Sequence, residues 1–208
     1  MGSRKLKIPD NVLNRLTLYH FILEDLREDE QYISSKKIAQ MLKIDDSQVR
    51  KDIKYLENSG KCRVGYDVKI LKQKIEESLG FEQKKNAFIV GAGNLGSALA
   101  KYDSFKDYGL NIVAMFDNDI NKIGTNINGK EVFDVAKIPN MVSKLNVEIA
   151  ILTVPKEFAK GIALYLAGAG IKYIWNFSPC VLEVPNDVKV WNENLIGSFL
   201  QFTNNEEE

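Results

Sequence analysis

Apolar positions in the first eighty residues recur every three or four, whereas beyond residue 86 they gather into short unbroken blocks. From Pro9, Val12, Leu13, Leu16, Tyr19, Ile22, Leu23 and Leu26 keep helical spacing, predicting an amphipathic helix that starts behind Pro9-Asp10. Ile33 to Leu42 predicts a second, short helix with Ser34 or Ser35 as its cap. After Lys43-Ile44-Asp45, Asp46 or Ser47 caps a third, with Val49, Ile53 and Leu56 on its buried side. Asn58-Ser59-Gly60 breaks the pattern. Lys61 to Val68 then predicts a small β-hairpin, and Val68 to Leu79 a fourth helix closed by Gly80. Residues 1 to 8 read as a leader and 204 to 208 as a solvated tail.

Two short helices joined by a tight turn and followed by a hairpin make a winged helix. On its second helix Gln48, Lys51 and Tyr55 share one face, with Ser47, Arg50 and Lys54 on the adjacent one, offering donors to a major groove. Lys61, Arg63 and Tyr66 lie in the wing, within reach of phosphates or a minor groove.

From residue 87 strand and helix alternate, the pattern of a doubly wound parallel sheet covered on both faces. Ala87 to Val90 and Leu110 to Phe116 are buried strands, with a helical run from Ser97 to Tyr102 between them. Asp119 to Gly129 is a polar loop, Glu131 to Phe133 a short strand, and Val135 to Leu145 a helix interrupted near Pro139. Val147 to Thr153 and Ile171 to Trp175 are further strands flanking a helix from Glu157 to Ala167. Leu182 to Pro185 and Val188 to Val190 are extended pieces. Asn192 to Phe202 is a last helix, apolar enough to bury itself either against a second copy or within its own subunit.

Gly91-Ala92-Gly93-Asn94-Leu95-Gly96 follows the first of these strands in G-x-G-x-x-G spacing. The first glycine permits the tight turn, the second lets a pyrophosphate approach the backbone, and the third lets helix pack on strand. The free N–H groups at the helix start favour an anion. Asp117 ends the next strand 21 residues after Gly96, where a carboxylate accepts from both adenosine ribose hydroxyls and repels a 2′-phosphate. That pair favours NAD(H) over a nucleotide-free domain that keeps its glycines for packing. Ligands of such sheets bind at the carboxyl ends of the strands, so Thr153-Val154-Pro155 and Asn176-Phe177-Ser178-Pro179 are candidates for the same pocket.

The 28 Lys/Arg balance the 28 Asp/Glu, against a nucleic-acid coat along the whole chain. Ser47 to Lys72 nevertheless holds seven basic residues against three acidic ones, as a phosphate-facing surface would, although on charge alone a solvated lysine-rich face is the simpler account. Cys62 and Cys180 stand far apart without a metal motif, and His20, the single histidine, sits beside an apolar stripe, so neither a metal site nor a disulfide framework is expected. With no long apolar run or signal peptide, a cytoplasmic protein is expected. The organisation read from the chain is a winged-helix DNA-binding domain at residues 1–80, a Rossmann NAD(H)-binding domain at 81–190, and a C-terminal helix and tail at 191–208.

The chain resembles the Rex family of bacterial redox-sensing transcriptional repressors. The resemblance rests on Val49-Arg50-Lys51-Asp52, Gly60-Lys61, Val64 to Val68, the glycine turn, Phe116-Asp117-Asn118-Asp119, Leu152 to Pro155, Ala169-Gly170-Ile171 and Asn176 to Pro179. It implies a homodimer that binds a palindromic double-stranded operator when NADH is scarce and releases it when NADH binds. It also implies exchange of the C-terminal helix between subunits and Tyr102 near the nicotinamide. Family members usually pair an Arg of the first helix with an Asp near the start of the last one, across subunits. Phe21 and Asn194 stand at those positions, and Leu195 replaces an aromatic expected beside the nicotinamide. A weaker NADH response, or one set by other contacts, is therefore expected, and a winged-helix regulator sensing another adenine nucleotide is the first alternative. A nicotinamide-dependent dehydrogenase fits worse. Tyr102 and Lys106 have Tyr-x-x-x-Lys spacing but directly follow the glycine turn, and no substrate domain remains.

Overall fold

The computed structural model describes residues 8–56 and 64–204. The chain divides into two compact units, Met1–Glu82 and Gln83–Glu208.

In the first unit, helix α1 (Asp10–Glu24) begins behind Pro9, whose fixed φ suits a helix entry. Helix α2 (Ser35–Leu42) is capped by Ser34, which accepts from the Lys37 N–H. Helix α3 (Asp46–Lys54) is capped by Asp45, whose carboxylate accepts from the Ser47 N–H, so the cap falls one residue before those expected. Helix α4 (Val68–Leu79) is capped by Asp67 and ends at Gly80 in the left-handed region. Leu16, Tyr19, Ile38, Val49, Ile53, Leu71 and Ile75 form one buried cluster drawing on all four helices. Each such aliphatic side chain contributes about 1.5–3 kcal/mol on leaving water.

The expected hairpin is only partly seen. Strand β2 (Tyr66–Asp67) pairs antiparallel with β1 (Tyr32–Ile33), a strand absent from the sequence reading, so the sheet closes on the segment before α2. Lys61, Cys62 and Arg63, with the rest of 57–63, lie outside the described residues. His20 is buried, with Nε2 2.9 Å from Glu76 Oε1 and its ring edge-on to Phe81 at 5.0 Å, as a structural histidine would be.

The second unit is a seven-stranded sheet of β3 (Lys85–Val90), β4 (Leu110–Asp117), β5 (Asn126–Ile127), β6 (Lys130–Asp134), β7 (Ile149–Leu152), β8 (Tyr173–Asn176) and β9 (Lys189–Asn192). Its order is β5-β6-β4-β3-β7-β8-β9, parallel throughout except for β5 against β6. Helices α5 (Asn94–Lys101), α6 (Ile138–Leu145) and α7 (Lys156–Gly168) are the crossovers. Without β5, the order is that of a dinucleotide-binding Rossmann sheet, which reverses between β3 and β7.

Both faces are covered, so the central strands carry unbroken apolar runs, Ala87 to Val90, Ile112 to Phe116 and Ile149–Leu152, rather than alternating. Phe88, Val90, Phe116 and Leu152 face a cluster completed by α6 and α7, and Ile89, Met115 and Ile151 face one that includes Ala100 of α5. Several boundaries differ from the pattern: β5 falls inside the expected polar loop, and Asn192 ends β9, so the last helix starts at Leu195 instead. Helix α5 starts at Asn94, three residues early, so Gly96 lies inside its first turn. Pro139 opens α6 instead of interrupting it, after a short 3-10 turn over Val135–Lys137, because a proline at the first helical positions loses no hydrogen bond. Leu182 to Pro185 belongs to no strand. Helix α8 (Leu195–Asn204) has no buried residue.

Candidate functional site

The reversal point holds a cleft of 570 Å³. It is lined by the β3 end and glycine turn (Val90, Gly91, Gly93), the β4 end and its loop (Phe116 to Asp119, Lys122), Val135, the β7 end (Thr153 to Pro155), and Phe158 and Ile162 of α7. Two of the three expected loops therefore meet here.

The turn is built backbone to backbone. The Gly91 N–H donates to Phe116 O at 2.8 Å, and the Thr153 hydroxyl donates to Gly91 O at 2.8 Å. A Cβ on Gly96 would lie 1.9 Å from Gly91 O, so only glycine lets α5 start this close to the strand. Gly93 is different. It lines the cleft, yet a Cβ on it would meet no protein atom within 4 Å. Packing among the described residues does not require that glycine, and its lack of a side chain leaves the backbone open to the cleft. Behind it, the N–H groups of Asn94, Leu95 and Gly96 head α5 ahead of the first intrahelical bond, Ser97 N–H to Gly93 O. Such a helix start attracts an anion.

Asp117 is 8% exposed, and its two oxygens accept from the Ala92 N–H (2.7 Å), the Asp119 N–H (2.9 Å) and Lys122 Nζ (3.1 Å). Burial pushes its pKa up, but the Asp119 N–H, the Lys122 ammonium and the Ala92 N–H outweigh that and hold it below the ordinary carboxylate range. It is therefore a carboxylate anion at neutral pH, in a cleft lining that also includes Phe116, Val135, Phe158 and Ile162. An anion-attracting turn, a carboxylate for a diol and an apolar wall suit the pyrophosphate, ribose and adenine of an adenine dinucleotide.

The third loop lies apart from this lining. Asn176 is fully buried, and its amide nitrogen donates to Cys180 O and Asn192 Oδ1 with Ser178 O also in reach at 3.2 Å, so its side chain helps to hold the turn. Ser178 Oγ donates to Val154 O at 2.6 Å and ties this loop to the β7 loop. Tyr102, at the end of α5 and 56% exposed, packs edge-on against Phe105, which meets Trp175, which meets Phe177. Tyr102 and Phe177 thus end one aromatic series. Asn194 Oδ1 accepts from the Gly197 N–H, so the residue at the expected Asp position caps α8.

In the first unit, Asp52 of α3 is fully buried. Its carboxylate accepts from Arg15 Nε (2.6 Å) and Nη2 (2.9 Å), the Tyr19 hydroxyl (2.6 Å) and Gln48 Nε2 (2.8 Å). Burial raises its pKa, and these donors more than reverse the effect. The network ties α3 to α1 and draws the Gln48 amide inward. Arg50, Lys51 and Lys54 remain exposed, with Arg50 Nη2 3.1 Å from Asp46 Oδ1. Ser47 and Tyr66 are half-buried.

The family description "CoA binding domain" matches residues 82–180, and "Putative DNA-binding protein N-terminus" matches residues 7–53. The redox-sensing transcriptional repressor Rex of Carboxydothermus hydrogenoformans is 44% identical over 190 residues, covering 91% of each chain. That of Treponema denticola is 39% identical over 199 residues, covering 96% of this chain and 95% of the relative. The chain belongs to the Rex family of redox-sensing transcriptional repressors. A solved structure of RSP, a Rex-family repressor, superposes with a TM-score of 0.84 at 37% identity, covering 95% of this chain and 93% of that one. RSP in complex with β-NAD+ and operator DNA gives 0.88 at 36% identity, covering 95% and 92%. RSP has also been solved with β-NADH.

Within this Rex-family chain, residues that pattern reading missed include Lys122, Phe158 and Ile162 in the cleft and Arg15 and Asp52 behind α3. Phe158 and Ile162 carried a signal, an i, i+4 pair on the helix directly after Pro155. Lys122 had only its place, five residues past Asp117 on a loop leaving the carboxyl end of a strand. Among the described residues no group of three or more His, Cys, Asp or Glu is gathered as a metal site would need, and no helix is long and apolar enough to cross a membrane.

Proposed function

We propose that this chain is a cytoplasmic DNA-binding repressor whose residues 1–80 grip a double-stranded operator and whose residues 81–190 take NAD(H), with residues 191–208 exchanged in a homodimer. NADH binding releases the operator. The observation that carries the reading is the meeting of Gly93 and Asp117 on one cleft: a glycine that packing does not need beside a carboxylate held ionised. The complexes of RSP with β-NAD+ and operator DNA and with β-NADH, at 36–37% identity over 95% of this chain, support it.

Gly91 to Gly96 would hold the pyrophosphate, Asp117 the adenosine ribose, and Tyr102, Thr153 to Pro155 and Asn176 to Pro179 the nicotinamide half. The bound dinucleotide supplies a ring that is neutral and puckered when reduced, planar and cationic when oxidised. An apolar lining, which withholds solvation from a cation, favours the neutral form. Any ligand shifts the dimer only through its differential affinity for two arrangements. On the DNA side, Arg50, Lys51 and Lys54 provide cations, Ser47, Gln48 and Tyr66 polar groups beside them, and Lys61 and Arg63 the wing. Two such helices reach successive major grooves when about 34 Å apart.

Regulation, rather than catalysis, fits the residues near the ring site. Tyr102 packs on Phe105, and Lys106 Nζ lies 3.9 Å from Asp103, partners that favour a structural part for the Tyr-x-x-x-Lys pair over an acid-base one. The test is equilibrium binding of NADH, NAD and ATP to the purified protein, followed by titration of the protein–operator complex with each. NADH binding coupled to operator release supports the reading; tighter ATP binding or NADH without effect on DNA overturns it.

A further inference from the structure

The cleft carries three charged side chains, Asp117, Asp119 and Lys122, and Lys122 is the one cation among its described lining residues. Its Nζ stands 3.1 Å from Asp117 Oδ2 and 4.0 Å from Asp119 Oδ2. The side chain is 38% exposed, so the ammonium spans the cleft wall between the two carboxylates and remains in contact with solvent. The local charge is one negative instead of two.

Lys122 is not what orients Asp117. The Ala92 and Asp119 N–H groups already fix both carboxylate oxygens from the backbone. Its contribution is therefore mainly electrostatic, and it acts on whatever meets Asp117 from the cleft. A ribose 2′-hydroxyl is neutral and registers one charge more or less only weakly. A 2′-phosphate is close to a dianion and registers it strongly. Lysine suits this role, because its point charge sits on a flexible stem and can turn from a carboxylate to a phosphate.

We infer that Lys122 sets how strongly this cleft discriminates NAD(H) from its 2′-phosphorylated counterpart, by halving the negative charge opposite the ribose and giving a 2′-phosphate a partner. The inference rests on the reading of the cleft as the dinucleotide's adenosine site. It makes Asp117 the group that rejects the phosphate and Lys122 the group that limits the rejection.

The test measures dissociation constants of NADH and NADPH, through nicotinamide fluorescence, for the full-length protein and for Lys122→Ala and Lys122→Arg. The quantity read is the ratio of the NADPH constant to the NADH constant, so any general change in affinity cancels. It should rise by up to about fivefold in Lys122→Ala, the upper size of a partly exposed charge pair. It should return towards the wild-type ratio in Lys122→Arg, and the rise should shrink at high ionic strength, as screening demands. An unchanged ratio in Lys122→Ala, including an equal loss of both cofactors as from a lysine acting on the shared pyrophosphate, overturns the inference and leaves the NADH site standing. Wild-type protein that binds neither cofactor overturns the site reading and the inference together.

Discussion

The carboxylate of Asp117 accepts the backbone N–H of Ala92 at 2.7 Å, so the end of β4 clamps the middle of the glycine turn that follows β3. One side chain both shapes the turn and faces the cleft beside it.

Asp117→Ala removes two functions at once, the ribose acceptor and the clamp on the turn. Each hydrogen bond of this charged kind contributes about 1.5–3 kcal/mol. NADH affinity should therefore fall by at least about tenfold. The helix-turn-helix core draws on the first unit alone, so operator affinity without cofactor should persist. Fluorescence titration with NADH and gel-shift assays on the same preparation test both halves. Loss of DNA binding with retained NADH binding would reverse the assignment of the two units.

The recognition helix carries its cations on the outside. Among the described residues Arg50 pairs with its neighbour Asp46, and Arg50 is exposed and Asp46 half-buried, a contact worth a few tenths of a kcal/mol that a phosphate displaces. Arg50→Ala and Lys51→Ala should each weaken operator binding and leave NADH binding at its original strength. Where the lost contact is to phosphate, the slope of log affinity against log salt should shrink by about one. Equal slopes for wild type and both variants would show that neither cation meets the backbone.

Much of this was legible in the chain. Helices α1 to α4 and the parallel strands follow from apolar spacing, and the glycine turn with Asp117 follows from a fixed distance. What pattern reading missed is set by tertiary contacts. A two-residue strand such as Tyr32–Ile33 has no period to detect and exists because Tyr66–Asp67 pairs with it. Asp45, Asp46 and Ser47 all have capping side chains, and the path of the turn selects Asp45. Asn176 ends a strand at the ligand face, and the contacts of its amide with Ser178 O, Cys180 O and Asn192 Oδ1 come from residues that no strand pattern places beside it. Arg15 and Asp52 meet across 37 residues, which no local window joins.

That last pair makes a stability prediction. Arg15→Ala leaves Asp52 fully buried with only Tyr19 and Gln48 as donors, and an ion pair broken on one side costs about 3–5 kcal/mol. The folded pKa of Asp52 lies below its unfolded value, so the network's contribution is complete above about pH 4 and is lost as pH falls through the folded pKa. Urea unfolding of wild type should weaken on acidification more than that of Asp52→Asn, whose amide does not titrate. Parallel losses in both proteins would assign acid sensitivity to other carboxylates.

Helix α8 presents Leu195, Phe199 and Phe202 on one face, with Ile196 and Leu200 on the adjoining one, each 49% exposed or more. Asn194 caps the helix and none of its residues is buried, so it is a formed element without a cover. An apolar face of this length marks an interaction surface, and a second copy of the chain supplies an equal and complementary one. Phe199→Ser with Leu200→Ser should therefore shift the protein from dimer to monomer in sedimentation velocity. Because one monomer reaches only one major groove, operator affinity should drop much further than the loss of a single phosphate contact would cause. A double variant that remains a dimer would place the interface elsewhere and leave the face of α8 for a different partner.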